Sequence, residues 1–375
     1  MESCEVLIVG GGPAGSSCAK GLREAGIDTA ILDKAAFPRD KVCGGWITPA
    51  VVEDLGIDLA EYAQGRVLQP ITRFRTGRIG GAEVDTDYGR AVSYGVRRFE
   101  FDEYLLRRCG ARLMLGTPLK SLERTSDGWV VNGEVTARML VGAGGHFCPV
   151  ARHLGASARK EEAVAAQEIE FEMNEAQQQS CAVRAEAPEL YFCEDLKGYG
   201  WCFRKANFLN IGLGRLDSQS LPVHVAEFVR RLKESGKIGF DLPSSMRGHA
   251  YLIFRETRPR IVDDGVLLIG DAAGLAYSQS GEGIRPAIES GLMAAKAIVA
   301  AAGDYGTRRL AAYREMLAER FGEAGPDWTT RIGQKLPPRL MQGLAGFLLG
   351  THWFSRDVVL EQWFLHADKP ALTWR

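Results

Sequence analysis

Near its start, the sequence contains a glycine-rich segment whose spacing suits the binding of a dinucleotide. Residues 10–15 read Gly-Gly-Gly-Pro-Ala-Gly, which contains the pattern G-x-G-x-x-G. Gly10 permits a tight turn, Gly12 lets a pyrophosphate approach the backbone, and Gly15 lets a helix pack closely against the preceding strand. The N-terminus of that helix would present free N–H groups and a positive dipole to the pyrophosphate.

The elements predicted around this segment are those that a dinucleotide-binding fold requires. The apolar run 5–9 predicts a buried strand, residues 13–25 predict a helix, and residues 29–33 predict a second strand. Asp33 ends this βαβ unit, where a carboxylate would accept hydrogen bonds from the ribose hydroxyls of adenosine. The alternative interpretation is a glycine turn in an α/β fold that binds no dinucleotide.

A second segment of strand and turn lies far downstream, at residues 265–274, and contains the sequence Gly-Asp-Ala-Ala-Gly. Together with the glycine-rich segment, it resembles the FAD-dependent monooxygenase and reductase superfamily, whose fold is of the glutathione-reductase type. The resemblance implies that Asp271 binds the ribityl chain of FAD. It also implies that residues 279–285 face the pyrimidine end of the flavin ring, where the dipole of the following helix would stabilise reduced flavin.

Three shorter motifs resemble the geranylgeranyl reductase family, whose members saturate isoprenoid double bonds. They are Lys-Val-Cys-Gly-Gly at 41–45, Gly-Glu-Gly-Ile at 281–284, and Tyr-Gly-Trp-Cys-Phe at 199–203. The resemblance makes Cys43 the candidate catalytic residue, which would contact the double bond or the flavin, or would help to position a proton donor. The alternative is that Cys43 is a small apolar residue in a glycine loop.

The third motif also indicates a substrate surface by itself. Side chains alternate along a strand, so Tyr199, Trp201 and Phe203 fall on one face. Three aromatic rings in a row form a wall that suits an apolar substrate beside the flavin ring. The alternative is that this face is ordinary sheet core.

These motifs define the residues that we expect to form the site. The predicted FAD-binding residues are Gly10, Gly12, Pro13, Ala14, Gly15, Asp33, Lys34, Cys43, Gly44, Gly45, Arg98, Gly142, Gly270, Asp271, Gly281, Gly283 and Ile284. The predicted substrate-binding residues are Tyr199, Trp201 and Phe203. The chain has a single G-x-G-x-x-G segment, which predicts no separate nicotinamide domain. The electron donor is therefore expected to be NAD(P)H that binds transiently, or a reduced ferredoxin.

Composition limits the other classes of function. The 46 basic and 47 acidic residues give a net charge of −1, which excludes a strongly basic nucleic-acid binder and an acidic disordered chain. The eight cysteines form no C-x-x-C pair, and the six histidines show no ligand spacing, so no metal site is expected. With no signal peptide and no apolar run of spanning length, the sequence predicts a cytoplasmic protein.

The predicted fold is α/β, with a glutathione-reductase-type, Rossmann-like FAD-binding domain, an inserted antiparallel β-sheet domain for the substrate, and a helical C-terminal tail. The corresponding residues are 1–65, 98–160 and 256–320 for the first domain, 66–97 and 161–255 for the second, and 321–375 for the tail. The apolar stretch 340–350 in this tail is too short to span a bilayer. It would cap an apolar substrate tunnel, lie on a membrane surface as a peripheral contact, or pack as a core helix.

The sequence departs from the family motifs at several positions, and two other functions stay open. Gly144 and Gly145 stand where the monooxygenases have Asp-Gly, which argues against a standard NADPH-using hydroxylase. Arg204 and Lys205 follow Phe203, where the reductases have proline. The remaining alternatives are a flavin monooxygenase or halogenase acting on an aromatic or polyketide substrate, and a flavoprotein that only binds or transfers electrons. The absence of lysine between residues 42 and 119 argues mildly against a halogenase.

Overall fold

The protein is described by a computed structural model that covers residues 1–155, 163–216, 220–243, 246–252, 260–322 and 338–372. The predicted domain boundaries near residues 160 and 255 lie outside these described residues. The strands are β1 (Glu2–Val9), β2 (Thr29–Asp33), β3 (Trp46–Ile47), β4 (Leu68–Ile71), β5 (Arg73–Arg78), β6 (Glu83–Asp87), β7 (Ser93–Val96), β8 (Arg112–Leu115), β9 (Leu122–Thr125), β10 (Gly128–Val131), β11 (Val135–Gly142), β12 (Ala163–Glu172), β13 (Glu189–Phe192), β14 (Gly198–Lys205), β15 (Phe208–Arg215), β16 (Arg247–Leu252), β17 (Val262–Asp263) and β18 (Val266–Leu268).

The helices alternate with these strands in the first part of the chain and dominate its end. The α-helices are α1 (Pro13–Glu24), α2 (Pro49–Leu55), α3 (Leu59–Tyr62), α4 (Arg98–Arg108), α5 (Pro149–His153), α6 (Glu175–Gln179), α7 (Leu221–Glu234), α8 (Ile284–Ala301), α9 (Thr307–Phe321) and α10 (Pro338–Leu349). A short 3₁₀ helix spans Gly270–Ala273, and the last helix, Phe354–Phe364, is wound as a π-helix.

The first sheet is built around a parallel core in the order β18-β11-β1-β2-β8. The central strand β1 is apolar on both faces, because Val6, Leu7 and Ile8 are all fully buried. Helices α1 and α8 pack together closely: the backbone of α1 at Ala14 leaves no room for a Cβ at Gly291 of α8. The described chain therefore has the α/β architecture expected for a dinucleotide-binding fold.

The second sheet has seven strands in the order β16-β12-β15-β14-β13-β5-β6. Its strands are antiparallel except for β13 and β5, which run parallel. One face buries Leu209, Ile211 and Leu213 under α7. The other face carries the aromatic residues of β14, so the two faces of this sheet have separate cores.

The segment 66–97 contributes to two sheets. Strands β5 and β6 join the seven-stranded sheet, whereas β4 and β7 pair with β3 in a small sheet of three strands. Residues 46–47 of β3 lie within the segment 1–65, which the sequence predicts to be part of the FAD-binding domain. The three-stranded sheet therefore connects the two predicted domains at Trp46 and Ile47.

The C-terminal helices return to the rest of the molecule. Val359, Leu360 and Phe364 of the π-helix are buried in one cluster with Trp46 and the second sheet. Beyond this helix, the Arg285 guanidinium of α8 donates hydrogen bonds to backbone carbonyls in residues 366–370. Within the ranges that the structure describes, no helix has the length and apolarity needed to cross a membrane.

Candidate active site

A cavity of about 610 Å³ lies between the first sheet and the aromatic face of the second sheet. Its lining includes Asp33 and the glycine-rich turn from the first sheet, and also Trp46 and Phe364. The predicted residues that line it are Gly10, Gly12, Pro13, Ala14, Asp33, Lys34, Cys43, Gly44, Gly45, Arg98, Tyr199, Trp201, Phe203, Asp271, Gly281, Gly283 and Ile284. The structure thus brings together, around one space, residues that are up to about 270 positions apart.

Three predicted residues do not line the cavity and instead allow close packing behind it. A Cβ at Gly15 would overlap the carbonyl of Gly10, and a Cβ at Gly142 would lie 2.6 Å from a methyl group of Leu268. Gly270 has a φ of +60° and donates its N–H to Ser290 Oγ at 2.9 Å. These glycines shape the turns that form the cavity wall without facing it.

The glycine-rich turn has the geometry of a pyrophosphate cradle. Gly10 has a φ of +120°, and its neighbour Ala143 leaves no space for a side chain there. Helix α1 begins at Pro13, and its N-cap residue Gly12 makes no side-chain capping bond. The first N–H groups of the helix therefore face the cavity at the place where a pyrophosphate would lie.

Asp33 holds this turn in place and also lines the cavity. Its carboxylate accepts hydrogen bonds from the backbone N–H of Gly11 at 2.7 Å and from that of Ala35 at 2.8 Å. The sequence predicted only a contact with the ribose. The structure adds a second use of the same carboxylate, which fixes the end of β2 against the glycine-rich turn.

A buried ion pair supports the middle of the cavity. The Arg98 guanidinium donates two hydrogen bonds to the Asp102 carboxylate, at 2.6 and 2.8 Å, and Arg39 lies 3.2 Å from the same carboxylate. Burial opposes the charge of Arg98, but Asp102 and the nearby Cys43 thiol outweigh it and raise the pKa of the guanidinium. Arg39 lines the cavity and was not predicted, because it lies in a loop without a recognisable motif.

A cluster of charged groups surrounds Asp271. Lys41 Nζ lies 2.6 Å from His249 Nε2, which is 3.9 Å from a carboxylate oxygen of Asp271. Burial lowers the pKa of Lys41 to about 8 and also lowers the pKa of His249. Burial would raise the pKa of Asp271, but the hydrogen bond with His249 and the charge of Lys41 lower it overall. Sequence reasoning missed His249, which is 208 positions from Lys41 and belongs to no motif.

Helix α8 begins at the cavity. Gly281, Gly283 and Ile284 line the cavity, and Ile284 is the first residue of the helix. The carboxylate of Glu282 accepts the backbone N–H of Arg285 at 2.7 Å and so caps the first turn. Burial raises the pKa of Glu282 to about 7. The N-terminus of α8 therefore presents its positive dipole to the cavity next to a carboxyl group that titrates near neutral pH.

Tyr199, Trp201 and Phe203 form one wall of the cavity, as the alternation along β14 predicts. Phe203 lies 5.6 Å from Trp46 between ring centroids, and Tyr199 lies 5.2 Å from Phe364. The Tyr199 hydroxyl also donates a hydrogen bond to the carbonyl of Ser280. Phe364 completes this aromatic end from the C-terminal π-helix and was not predicted, because nothing in its local sequence connects it to β14.

Cys43 lies in the loop between the aromatic wall and Arg98. Its sulfur accepts the backbone N–H of Gly45 at 3.4 Å, and the thiol is one of the groups that raise the pKa of the Arg98 guanidinium. Cys43 is half-buried, whereas the other seven cysteines are fully buried. The arrangement can present a thiol to a molecule in the cavity.

Comparisons with known proteins agree with this geometry. The FAD binding domain family matches residues 3–323. A menaquinone reductase of Mycobacterium tuberculosis is 30% identical over 359 residues, which cover 86% of this chain and 81% of the relative. A digeranylgeranylglycerophospholipid reductase of Methanothermobacter thermautotrophicus is 27% identical and covers 86% and 84%. A chloroplastic geranylgeranyl diphosphate reductase of rice is 31% identical and covers 81% and 68%.

Solved structures share the fold at lower sequence identity. A geranylgeranyl bacteriochlorophyll reductase-like protein of Thermoplasma acidophilum has a TM-score of 0.72 and 20% identity, and the match covers 100% of this chain and 94% of that protein. A flavin-dependent halogenase has a TM-score of 0.64 and 21% identity, with coverage of 93% and 72%. The fold is therefore common to reductases and halogenases, and it does not by itself distinguish their reactions.

Proposed function

Because the chain belongs to the FAD binding domain family and, within it, to the geranylgeranyl reductases and their relatives, we propose that it reduces carbon–carbon double bonds in an isoprenoid substrate. The protein is an FAD-dependent oxidoreductase. The observation that carries the proposal is the single cavity that joins a dinucleotide cradle at Gly12 to an aromatic wall at Trp201.

The residues of the cavity fit FAD. The turn at Gly10 and Gly12 leaves the space that a pyrophosphate needs, and Asp33 lies where it can also receive a ribose hydroxyl. Asp271 and Ile284, at the N-terminus of α8, line the same cavity, where they would contact the ribityl chain and the flavin ring. Bound FAD would supply, once reduced, the hydride that reduction of a double bond requires.

The chain's own residues have three tasks in this proposal. The aromatic rings of β14, together with Phe364, bind the apolar chain and exclude water from the reacting bond. The N-terminus of α8 stabilises negative charge at its end of the cavity. The thiol of Cys43 lies beside the substrate space, near Arg98, where it would contact the double bond or help to place a proton.

The proposed domains separate the residues that bind FAD from those that bind the substrate. We assign FAD binding to residues 1–65, 98–160 and 256–320 in a glutathione-reductase-type arrangement, and substrate binding to 66–97 and 161–255. We assign 321–375 as a C-terminal helical segment, in which Phe364 of the π-helix would complete the substrate cavity. NAD(P)H or a reduced ferredoxin would provide the electrons.

Reduction under strictly anaerobic conditions tests this function. The protein with bound FAD is reduced chemically, geranylgeranyl diphosphate is added, and the product is examined by mass spectrometry. Gain of one or more pairs of hydrogen atoms is expected. A substrate that is unchanged without oxygen, and that gains oxygen or a halogen atom when air and halide are admitted, would establish the monooxygenase or halogenase alternative.

A further inference from the structure

Two side chains of the second sheet form hydrogen bonds with the backbone of Cys43. The Glu168 carboxylate accepts the backbone N–H of Cys43 at 2.6 Å, and the Asn210 amide donates to the backbone carbonyl of Cys43 at 3.2 Å. Glu168 and Asn210 lie on the paired strands β12 and β15 and are only 5% and 1% exposed. Both polar groups of one loop residue are therefore fixed by buried side chains that are 125 and 167 positions away.

The loop around Cys43 has no regular secondary structure that would fix the position of this residue. Residues 41–45 form neither helix nor strand, and Gly45 has a φ of +67°. A Cβ at Gly44 would lie 2.9 Å from the ring of Phe203, so the loop rests directly on the aromatic wall. The Cys43 end of the loop is thus fixed by the contacts of the sheet with the Cys43 peptide groups, and its other end by the Val96 N–H, which donates to the Gly45 carbonyl at 2.8 Å.

A charged network lies beneath these contacts. Lys205 is 1% exposed and donates from Nζ to Glu170 at 2.6 Å and to the carbonyl of Val96 at 3.0 Å. Arg97 also pairs with Glu170, at 3.5 Å. Burial raises the pKa of Glu168 to about 7, although the Cys43 N–H and the charge of Lys205 act in the opposite direction. Lys205 directly follows Arg204, which stands where the reductases have proline.

We propose that Glu168 is a positioning residue for Cys43, which acts through the hydrogen bond to the Cys43 peptide and keeps the thiol at the cavity. The inference rests on the proposed function, because it concerns the loop beside the substrate wall. It differs from a merely structural role of Glu168, since it predicts a change in the reactivity of one thiol and in turnover. Glu170, Lys205 and Asn210 are the polar groups that face Glu168 from β12, β14 and β15.

The matched comparison uses Glu168→Gln and Glu172→Gln. Glu172 lies on the same strand and alternates to the same face, but it is exposed and pairs with Asn207 at the strand end. In the FAD-loaded protein, Cys43 is alkylated with iodoacetamide and its modification is followed by peptide mass spectrometry. The other seven cysteines are buried, so they serve as internal standards in each sample.

For Glu168→Gln, we expect the alkylation rate of Cys43 to rise at least threefold, because the neutral amide is a weaker acceptor and the loop leaves the sheet. The kcat of prenyl reduction is expected to fall about tenfold while KM changes less than threefold, since the aromatic wall is intact. Glu172→Gln should match the wild type in each measurement. An alkylation rate and a kcat for Glu168→Gln that equal those of Glu172→Gln would overturn the proposal.

Two further measurements keep the outcome decisive. If Glu168→Gln does not fold, the alkylation rate of the wild type is measured from pH 5.5 to 8.5. An inflection of the alkylation rate near pH 7, below the titration of an ordinary thiol and separate from it, supports the coupling of Glu168 to Cys43. A rate that follows a single thiol titration overturns it. Alkylation needs no substrate, so a wild type that reduces no prenyl compound would refute the proposed function but leave the test of Cys43 positioning intact.

Discussion

The indole ring of Trp201 lies against Gly212 of the neighbouring strand, where a Cβ atom would overlap the ring. The indole N–H also donates to the side-chain oxygen of Asn210, two residues earlier on the same strand, at 2.6 Å. The orientation of the central ring of the aromatic wall is therefore set by β15 rather than by β14, which carries the ring. Asn210 links that orientation to the Cys43 loop, because its amide nitrogen contacts the Cys43 carbonyl.

The substitution Gly212→Ala tests whether Trp201 forms the substrate wall. The added methyl group must displace the indole, so KM for the prenyl substrate should rise about tenfold or more, the equivalent of about 1.4 kcal/mol. FAD content, measured by absorbance after desalting, should stay at the wild-type level. Gly248→Ala is the matched control, since it lies in the same sheet with its nearest neighbour 4.0 Å from the added atom. Equal KM values for the two variants would show that Trp201 does not contact the substrate.

Replacement of Asp33 by asparagine should weaken FAD binding. The carboxylate accepts two backbone N–H groups, whereas an amide offers one acceptor oxygen and no negative charge. The glycine-rich turn should lose part of its support, and Kd for FAD should rise about tenfold. Flavin fluorescence titration of the FAD-free protein measures this constant. Asp28→Asn is an exposed control on the approach to the same strand, and an unchanged Kd in Asp33→Asn would contradict the role given to Asp33.

Asp54 should make the folded state less stable as the pH rises. Its carboxyl group is buried, and burial, together with the nearby charge of Glu289, raises its pKa to about 7. The folded-state pKa lies above the ordinary value of 3.8. The contribution of the protonated Asp54 carboxyl group to the free energy of unfolding is therefore fully present below pH 4 and is lost as the pH rises through 7. The free energy of unfolding of the wild type, measured with urea, should therefore fall between pH 5 and pH 8.

The same measurement on Asp54→Asn isolates this group. The variant cannot ionise at position 54, so its unfolding free energy should fall by about 2 kcal/mol less over the same interval, at about 1.4 kcal/mol for each unit of pKa shift. Asp127→Asn, in an exposed turn, should follow the wild type. A pH dependence of Asp54→Asn that is identical to that of the wild type would show that Asp54 is not the group responsible.

Local patterns predicted the elements that hold the cofactor cradle. Strand 29–33 has the predicted bounds, and helix α1 ends one residue earlier than the predicted helix 13–25. These elements are determined by short-range periodicity and by glycines whose conformation the turn requires. The predicted strand and turn at 265–274 form strand β18, which ends at Leu268, and a 3₁₀ turn that begins at Gly270, where φ is positive.

The substrate side of the site could be predicted only in part. The alternation of Tyr199, Trp201 and Phe203 locates one wall, but the groups that support it come from distant strands with no motif of their own. Glu168 belongs to strand β12, which carries no motif of its own, and the structure buries it under the Cys43 loop. Phe364 reaches the cavity through the packing of a tail, which no local periodicity determines.

The exposed face of α10 should bind the surface of a lipid bilayer. Leu340, Leu344 and Phe347 follow the spacing of one helix face and are 64%, 51% and 71% exposed, and the next helix carries Phe364 into the cavity. An isoprenoid lipid would enter from the bilayer along this face. The double substitution Leu344→Ser and Phe347→Ser should therefore lower sedimentation with phosphatidylglycerol–phosphatidylcholine vesicles several-fold.

Reduction of a detergent-soluble, short prenyl substrate by that double variant should be unaffected, because neither residue lines the cavity. Val223→Ser provides the control, since Val223 is a 70% exposed apolar residue on α7, far in sequence from α10. Loss of vesicle binding confined to the α10 variant would assign the membrane contact to this face. Vesicle binding that is equal in the wild type and in both variants would show that the exposed apolar residues of α10 do not mediate it, and the tail would then serve only to complete the cavity through Phe364.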